Sequence, residues 1–167
     1  VWGLLGGATI GLGLVVHRLS TKSLLLALLC LLIGVIIGLH FINQPKLVYF
    51  SNPVDRPRDE SWAGFLLGSI ALVGFLRLRE PGSSGVAANF AGYGAVGGAI
   101  GFGAGSLFLA LQPHLPDAWR WLPCWKFMEF FFGALLGAAL GIAARTLQAS
   151  LAPRIDSPQV PPAHYRR

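Results

Sequence analysis

The sequence has few charged residues. Of its 167 residues, 12% are charged and 54% are hydrophobic, whereas a soluble domain typically has about 25% charged residues. Thirteen Lys and Arg with seven Asp and Glu cannot cover the surface of a soluble core of this length, and the chain is too apolar to remain disordered. We therefore exclude a soluble globular enzyme and a disordered or collagen-like chain. The composition predicts an integral membrane protein.

The strict alternation of polar and apolar residues that is typical of a membrane β-strand is also missing. Apolar residues instead run continuously, as in 24–29. A helix needs about 20 mostly apolar residues to cross a bilayer core, and five stretches meet or approach that length. The predicted fold is therefore all-α, a polytopic transmembrane helical bundle. Its five spans lie at about 1–16, 24–42, 62–78, 86–111 and 127–144.

Charges, prolines and glycines support this division independently. With the third span counted to Leu76, every charged residue except Glu129 and all 11 prolines lie outside the spans, whereas 20 of the 22 glycines lie inside. Proline interrupts the hydrogen bonds that a spanning helix must satisfy internally. Arg77 can extend the third span by reaching back to the membrane surface. Its position explains why we place the end of this span near residue 78.

Residues 1–150 are predicted to form one transmembrane domain, and residues 151–167, which are rich in proline and polar residues, a disordered cytoplasmic tail. The first span is short, and neither an initiator Met nor a basic residue precedes Val1. The expected interpretation is a fragment or a processed product, with a further span upstream.

Basic residues predict the orientation, because cytoplasmic loops carry an excess of Lys and Arg. Side two, the far side, has five basic residues against eight on side one, and all five tryptophans lie toward side two as an interfacial belt. We therefore predict a cell-membrane protein with a cytoplasmic C-terminus and the lipid bilayer as its partner. A nucleic acid is not an expected partner, since no basic patch with stacking aromatics is present. The basic residues of side one are Arg18, Lys22, Arg77, Arg79, Arg145, Arg154, Arg166 and Arg167.

Every span contains small residues spaced by four, the GxxxG or glycine-zipper pattern that lets helix backbones approach closely. This pattern predicts close helix packing. The partner helix could belong to the same chain, to a second copy in a homo-oligomer or to another membrane subunit. The glycines in these rows are Gly3, Gly7, Gly11, Gly34, Gly38, Gly64, Gly68, Gly94, Gly97, Gly98, Gly101, Gly105, Gly133, Gly137 and Gly141.

Polar residues near side two are the candidates for chemistry. With the third span counted to Leu76, Glu129 is the only Asp, Glu, Lys or Arg inside a span, and we expect it to pair locally with Lys126 or Arg120. The fixed ligand spacing of a metal site is missing, no cofactor motif is found, and no catalytic residue is assigned. Asp59 or Ser61 is expected to cap the third span. A candidate outer polar cluster comprises His40, His114, Asp117, Arg120 and Glu129.

The segment from Gly82 to Gly85 matches the GxSG string of the rhomboid proteases, which would make Ser84 a nucleophile. The later span lacks the histidine that this family also requires. A flexible turn is therefore the preferred interpretation of the segment.

Spans one and four align almost throughout after one deletion, from Trp2 against Tyr93 onward. If this were a true repeat, spans two and five would correspond and a three-plus-three inverted arrangement would follow, as in transporters. The preferred function is a structural or accessory membrane component that acts through helix packing and is not an enzyme. A transporter or channel half is the alternative, and a membrane enzyme using the outer polar cluster comes third.

Overall fold

The computed structural model describes residues 1–48, 59–119 and 121–151. These residues form five long α-helices and no β-strand. Short helical turns follow three of them, and the α-helices are α1 (Trp2–Val15), α2 (Thr21–Gly38), α3 (Trp62–Arg79), α4 (Pro81–Leu111) and α5 (Cys124–Leu151). The all-helical prediction is thus confirmed for the described residues. The predicted tail, 151–167, lies outside them except for the helical end of α5 at Leu151.

Four helices are long and apolar enough to cross a membrane: α2 with the turn that follows it, α3, α4 with its following turn, and α5. The first helix, α1, has 14 residues and a length of about 21 Å, whereas a bilayer core is about 30 Å thick. Four of the five predicted spans thus correspond to candidate membrane-spanning helices, and the first corresponds to the shorter helix α1. Apolar content identified α1, which is the shortest of the five α-helices.

The helices run antiparallel along the chain, so their ends form two opposite faces. One end contains the five tryptophans, from Trp2 at the start of α1 to Trp125 in the first turn of α5, and we call it the tryptophan end. The opposite end contains Arg18, Arg77 and Arg79, and we call it the arginine end. Aromatic rings at one end of an apolar bundle match the level of lipid headgroups.

The five helices form a row of three and an attached pair. In the row, α4 lies between α1 and α5, while α2 packs mainly on α3. The pair attaches to the row through α3, whose Leu72 and Leu76 are fully buried in a cluster with Ala8 and Ala91. Large apolar side chains on α2, such as Leu25 and Ile36, remain exposed. Lipid chains would cover such residues in a membrane.

A single residue, Glu80, joins α3 to α4. Pro81 occupies the first turn of α4, where its missing N–H costs nothing and its fixed φ suits a helix. The backbone N–H groups of Ser83 and Ser84 donate to the carbonyl oxygen of Glu80. The prediction of a flexible turn at Gly82–Gly85 is therefore wrong, because Pro81 starts a helix there and the two glycines continue it.

The start of α2 is tied to this same corner. Ser20 caps α2 by accepting from the backbone N–H of Ser23 at 3.0 Å, and the hydroxyl of Ser23 donates to the Glu80 carboxylate at 2.6 Å. A carboxylate acceptor gives a short, strong hydrogen bond. At the arginine end of the bundle, a hydrogen bond therefore connects the start of α2 to the corner between α3 and α4.

Candidate functional site

Glycines of α1 lie directly against the backbone of α4. A Cβ added to Gly7 would overlap the carbonyl oxygen of Phe90, and one added to Gly11 would lie 2.6 Å from the Cα of Ala87. Gly3 and Gly94 face each other, since a Cβ on either would overlap the carbonyl oxygen of the other. Any side chain larger than hydrogen on these faces would force the two helices apart.

A neighbouring face of α4 meets α5 in the same way. A Cβ on Gly101 would lie 3.0 Å from the Cα of Phe132, and one on Gly105 would lie 2.8 Å from the carbonyl oxygen of Met128. Gly97 approaches the carbonyl oxygen of Leu135, at 2.9 Å for an added Cβ. Three residues span about 300° around a helix, so the Gly94 and Gly97 rows lie only about 60° apart. That offset lets α4 accept two neighbours at once.

The pair of α2 and α3 has a third glycine contact. A Cβ on Gly34 would lie 2.6 Å from the carbonyl oxygen of Leu67, and one on Gly38 would overlap the backbone of Ala63. From the other side, a Cβ on Gly68 would lie 2.6 Å from the Cγ2 of Val35. Gly64 lies against the side chain of Leu39 in the same contact.

The glycine row of α5 has a different environment. A Cβ on Gly133, Gly137 or Gly141 would meet no atom within 4 Å among the described residues. The row lies on the face of α5 that is turned away from α4. A packing role for these three glycines stays a prediction, and it would require a surface outside the described residues.

Two residues of the candidate outer polar cluster, His40 and Glu129, have separate partners on their own helical segments. The Nδ1 of His40 lies 2.8 Å from the Oε1 of Gln44. Glu129 accepts from Trp125 Nε1 at 2.8 Å and pairs with Lys126 at 2.9 Å. The predicted local pairing of Glu129 is thus confirmed with Lys126 as the partner.

Three further observations bear on the outer polar cluster. His114 and Asp117 lie in the two short turns between α4 and α5, and Arg120 lies outside the described residues. In the part of the chain that the structure describes, no three His, Cys, Asp or Glu side chains are grouped closely enough to hold a metal ion. A common site for the five residues therefore stays a prediction.

The cap of α3 comes from a different segment than expected. Ser61 occupies the capping position without a side-chain hydrogen bond. The Oδ1 of Asn43 instead accepts from the backbone N–H groups of Ala63, at 3.1 Å, and Gly64, at 3.3 Å. Neither Asp59 nor Ser61 is the observed cap, since the buried Asn43 already fills this place. The sequence around Asn43 contains no pattern that predicts a contact with Ala63, 20 residues later.

Asn43 ends a π-helical turn, Leu39–Asn43, that follows α2 directly. A π-helical turn changes the direction of the side chains that follow it relative to an α-helix. Asn43 is only 7% exposed, and its Nδ2 has no hydrogen-bond partner among the described residues. A buried amide with one unpaired N–H₂ group costs stability.

An open cleft of about 560 Å³ lies at the tryptophan end, between the starts of α1 and α3 and the facing sides of α4 and α5. Trp2, Phe102 and Phe132 form aromatic walls, and Gly98 with Ala99 forms a flat wall on α4. Phe102 and Phe132 meet edge to face, with centroids 6.5 Å apart. The cleft exists because the small residues of α4 leave its surface flat between these rings.

Residues that precede α3 also line this cleft. Asp59, Glu60 and Ser61, which precede α3, line it together with Trp62. Sequence reasoning treated Trp2 and Trp62 as interfacial anchors and Asp59 as a helix cap, and it did not combine them. The sequence does show a tryptophan at the start of α1 and another at the start of α3. Only the packing of α1 beside α3 places both tryptophans in one cleft.

Comparison of the chain with models of known protein families, with curated proteins and with solved structures finds no match in any of the three.

Proposed function

We propose that this chain is a structural or accessory component of a membrane, and that it acts through close packing of its helices. The observation that carries this proposal is the position of α4, which meets the backbones of α1 and α5 through two glycine rows. In lipid, the hydrophobic effect does not drive helices together, so close-range dispersion contacts and hydrogen bonds must do so. Direct backbone contact along two faces maximises that contribution.

The distribution of charge supports a scaffold over a transport pathway. Residues 24–42, 62–76 and 86–111 contain no Asp, Glu, Lys or Arg, although intramembrane ionisable groups commonly mark ion and proton pathways. Glu129, the exception in the fifth predicted span, is about half exposed and pairs with Lys126 on its own helix. Neither the three uncharged segments nor the paired Glu129 therefore supplies a charged group to a translocation route through the bundle.

A transporter or channel half remains the alternative function. The observation in its favour is the reciprocal contact of Gly3 with Gly94. These two glycines also correspond in the alignment of α1 with α4. Other corresponding positions differ. Gly97 packs against α5, whereas an added Cβ at its counterpart Gly6 would meet no described atom within 4 Å. Extensive packing joins α4 to α5 but not α1 to α2. An inverted repeat would give both halves the same internal contacts.

The scaffold proposal is tested by placing the same side chain at a contacting and a non-contacting glycine of one helix. Gly7→Leu should separate α1 from α4, whereas Gly6→Leu points away from every described neighbour. Both variants of the full chain are purified in an uncharged detergent, and thermal unfolding is followed by circular dichroism. We expect a large loss of stability for Gly7→Leu alone, and equal stability of the two variants would contradict the proposal.

A flux assay separates the two functions. The wild-type chain is reconstituted in vesicles, and the leak of a small cation, a small anion and a neutral solute is measured against empty vesicles. A scaffold component leaves all three rates unchanged. A saturable or selective flux would contradict the scaffold proposal and favour the transporter alternative.

A further inference from the structure

We propose that the arginine end binds the headgroups of anionic phospholipids, with Lys22 and Arg79 at the centre of the binding surface. The lipid phosphate would meet basic side chains from two helices, and the acyl chains would lie against exposed apolar residues of α2 and α3. This inference goes beyond the scaffold function and does not depend on it, because it concerns the charges at one end of the bundle and not the glycine contacts.

Basic residues are concentrated at the arginine end. Five of the seven Lys and Arg residues that the structure describes lie there, and all five are exposed. Glu80 is the one carboxylate at this end among the described residues, and the sequence beyond Leu151 adds three arginines and one aspartate. Positive charge therefore prevails at this end. The five residues are Arg18, Lys22, Arg77, Arg79 and Arg145.

These five cations have no acidic partner in the part of the chain that the structure describes. The Nε of Arg18 donates to His17 at 3.4 Å, which supplies no negative charge. At the tryptophan end, by contrast, Lys126 pairs with Glu129 at 2.9 Å. Like charges repel one another, so an anionic partner at the arginine end would relieve a repulsion that the described residues leave uncompensated.

Lys22 and Arg79 begin beside the same hydrogen bond. The Ser23 hydroxyl donates to the Glu80 carboxylate at 2.6 Å, and Lys22 and Arg79 immediately precede these two residues in the chain. Two cations thus flank one carboxylate. Lys22 lies in the first turn of α2, where the helix dipole disfavours a cation, so the stability of α2 does not explain its position. A phosphate accepts from both ammonium and guanidinium groups.

The length of α3 places the basic residues at the level of lipid headgroups. This helix begins at Trp62 and ends at Arg79, and its 18 residues give a length of about 27 Å. A bilayer core is about 30 Å thick, and tryptophan prefers the headgroup level. With Trp62 at one interface, Arg77 and Arg79 therefore lie at the other.

Exposed apolar side chains beside these charges favour a lipid over a water-soluble anion. Leu78, between the two arginines of α3, is 84% exposed. Leu25 follows Lys22 by three residues, lies on the same face of α2 and is 62% exposed. A phospholipid supplies acyl chains for the leucines and a phosphate for the basic side chains. A soluble anion or a nucleic acid would leave the leucines in water.

The direct test compares two lipids around the full chain in phosphatidylcholine vesicles. Phosphatidylglycerol and phosphatidylcholine carry the same spin label on an acyl chain, and electron paramagnetic resonance measures the fraction of each that the protein immobilises. We expect phosphatidylglycerol to associate about fivefold more strongly, and the double variant Lys22→Gln, Arg79→Gln to lose most of this preference. Equal association of the two lipids, or an unchanged preference in the double variant, would overturn the proposal.

Two control variants separate charge at this end from other effects. Lys22→Arg, Arg79→Lys keeps both charges and should retain the preference for phosphatidylglycerol. Lys126→Gln removes a basic residue from the tryptophan end and should also retain it. Thermal unfolding checks that all variants fold like the wild type. If either control, folded normally, loses as much preference as the glutamine variant, the assignment to these two charges is wrong.

A competition arm distinguishes a lipid from a soluble phosphate. Glycerol 3-phosphate has the phosphate chemistry of the headgroup without acyl chains, and it is added in large excess to the same vesicles. Sodium chloride at equal ionic strength controls for screening of the charges. We expect both additions to lower the immobilised fraction of phosphatidylglycerol equally. A greater loss with glycerol 3-phosphate would assign the arginine end to a soluble anion and contradict the lipid proposal.

Discussion

The glycine rows of α4 and α5 have the same spacing and opposite environments. Gly97, Gly101 and Gly105 lie against the backbone of α5, and an added Cβ at each would lie within 3.0 Å of a neighbouring atom. Gly133 and Gly137 have the same separation, but an added Cβ at either would meet no atom of the described residues within 4 Å. Spacing by four makes close approach possible, but a neighbouring helix must supply the other surface. The difference shows that a row of small residues allows a neighbouring helix to pack closely but does not by itself produce a contact.

The largest effect is expected where the α4 row is broken. Gly101→Leu would drive a branched side chain into the backbone at Phe132, and overpacking of this kind should lower the free energy of unfolding by about 3 kcal/mol or more. Gly103→Leu on the same helix meets no neighbour and serves as the control. Reversible unfolding in mixed micelles measures both, and a control variant that loses as much stability would refute this account.

The next effect concerns the residues that attach the pair of α2 and α3 to the row. Leu72 is fully buried, and Leu72→Ala should destabilise the chain by about 2–4 kcal/mol because it leaves a cavity and removes dispersion contacts. Leu78 on the same helix is 84% exposed, so Leu78→Ala should change little. Similar losses in both variants would show that α3 does not anchor the pair as described.

The cap of α3 should have a smaller effect. Asn43→Ala removes the acceptor for Ala63 and Gly64, and a lost cap costs about 1 kcal/mol. Ser61→Ala, at the position that the sequence favoured, should leave stability within about 0.5 kcal/mol of wild type. Denaturant titration of the two variants compares them. A greater loss at Ser61 than at Asn43 would restore the cap expected from the sequence.

The smallest effect on the folding of one chain is expected at the α5 row. Gly137→Leu points away from α4 and should leave unfolding of the isolated chain within about 0.5 kcal/mol of wild type. Sedimentation in a density-matched detergent reports association separately. A loss of association without a loss of stability would assign this row to contacts between molecules. A large loss of stability in a monomeric chain would instead show that α5 packs through this face.

Sequence reasoning succeeded where the signal was local. Continuous apolar stretches located all five helices, although Pro81 and Cys124 begin α4 and α5 earlier than the predicted span limits because helices extend past the membrane core. The pairing of Glu129 with Lys126 also follows from neighbouring positions on one helix. Contacts between distant segments could not be predicted in this way. The capping of α3 by Asn43 depends on how whole helices pack. The same is true of the position of Trp2 and Asp59 in one cleft.

The sequence by itself determined the apolar segments, the loops marked by proline and charge, and the helix faces flat enough for close approach. These properties depend on residue type and on distances along one helix, and both can be read from the chain. The tertiary structure decided which flat faces meet a neighbour, which residue caps α3 and where a cleft opens between α1 and α3. The physical reason is that a glycine removes an obstacle without specifying a partner. Which helices contact each other is determined only when all five helices pack together.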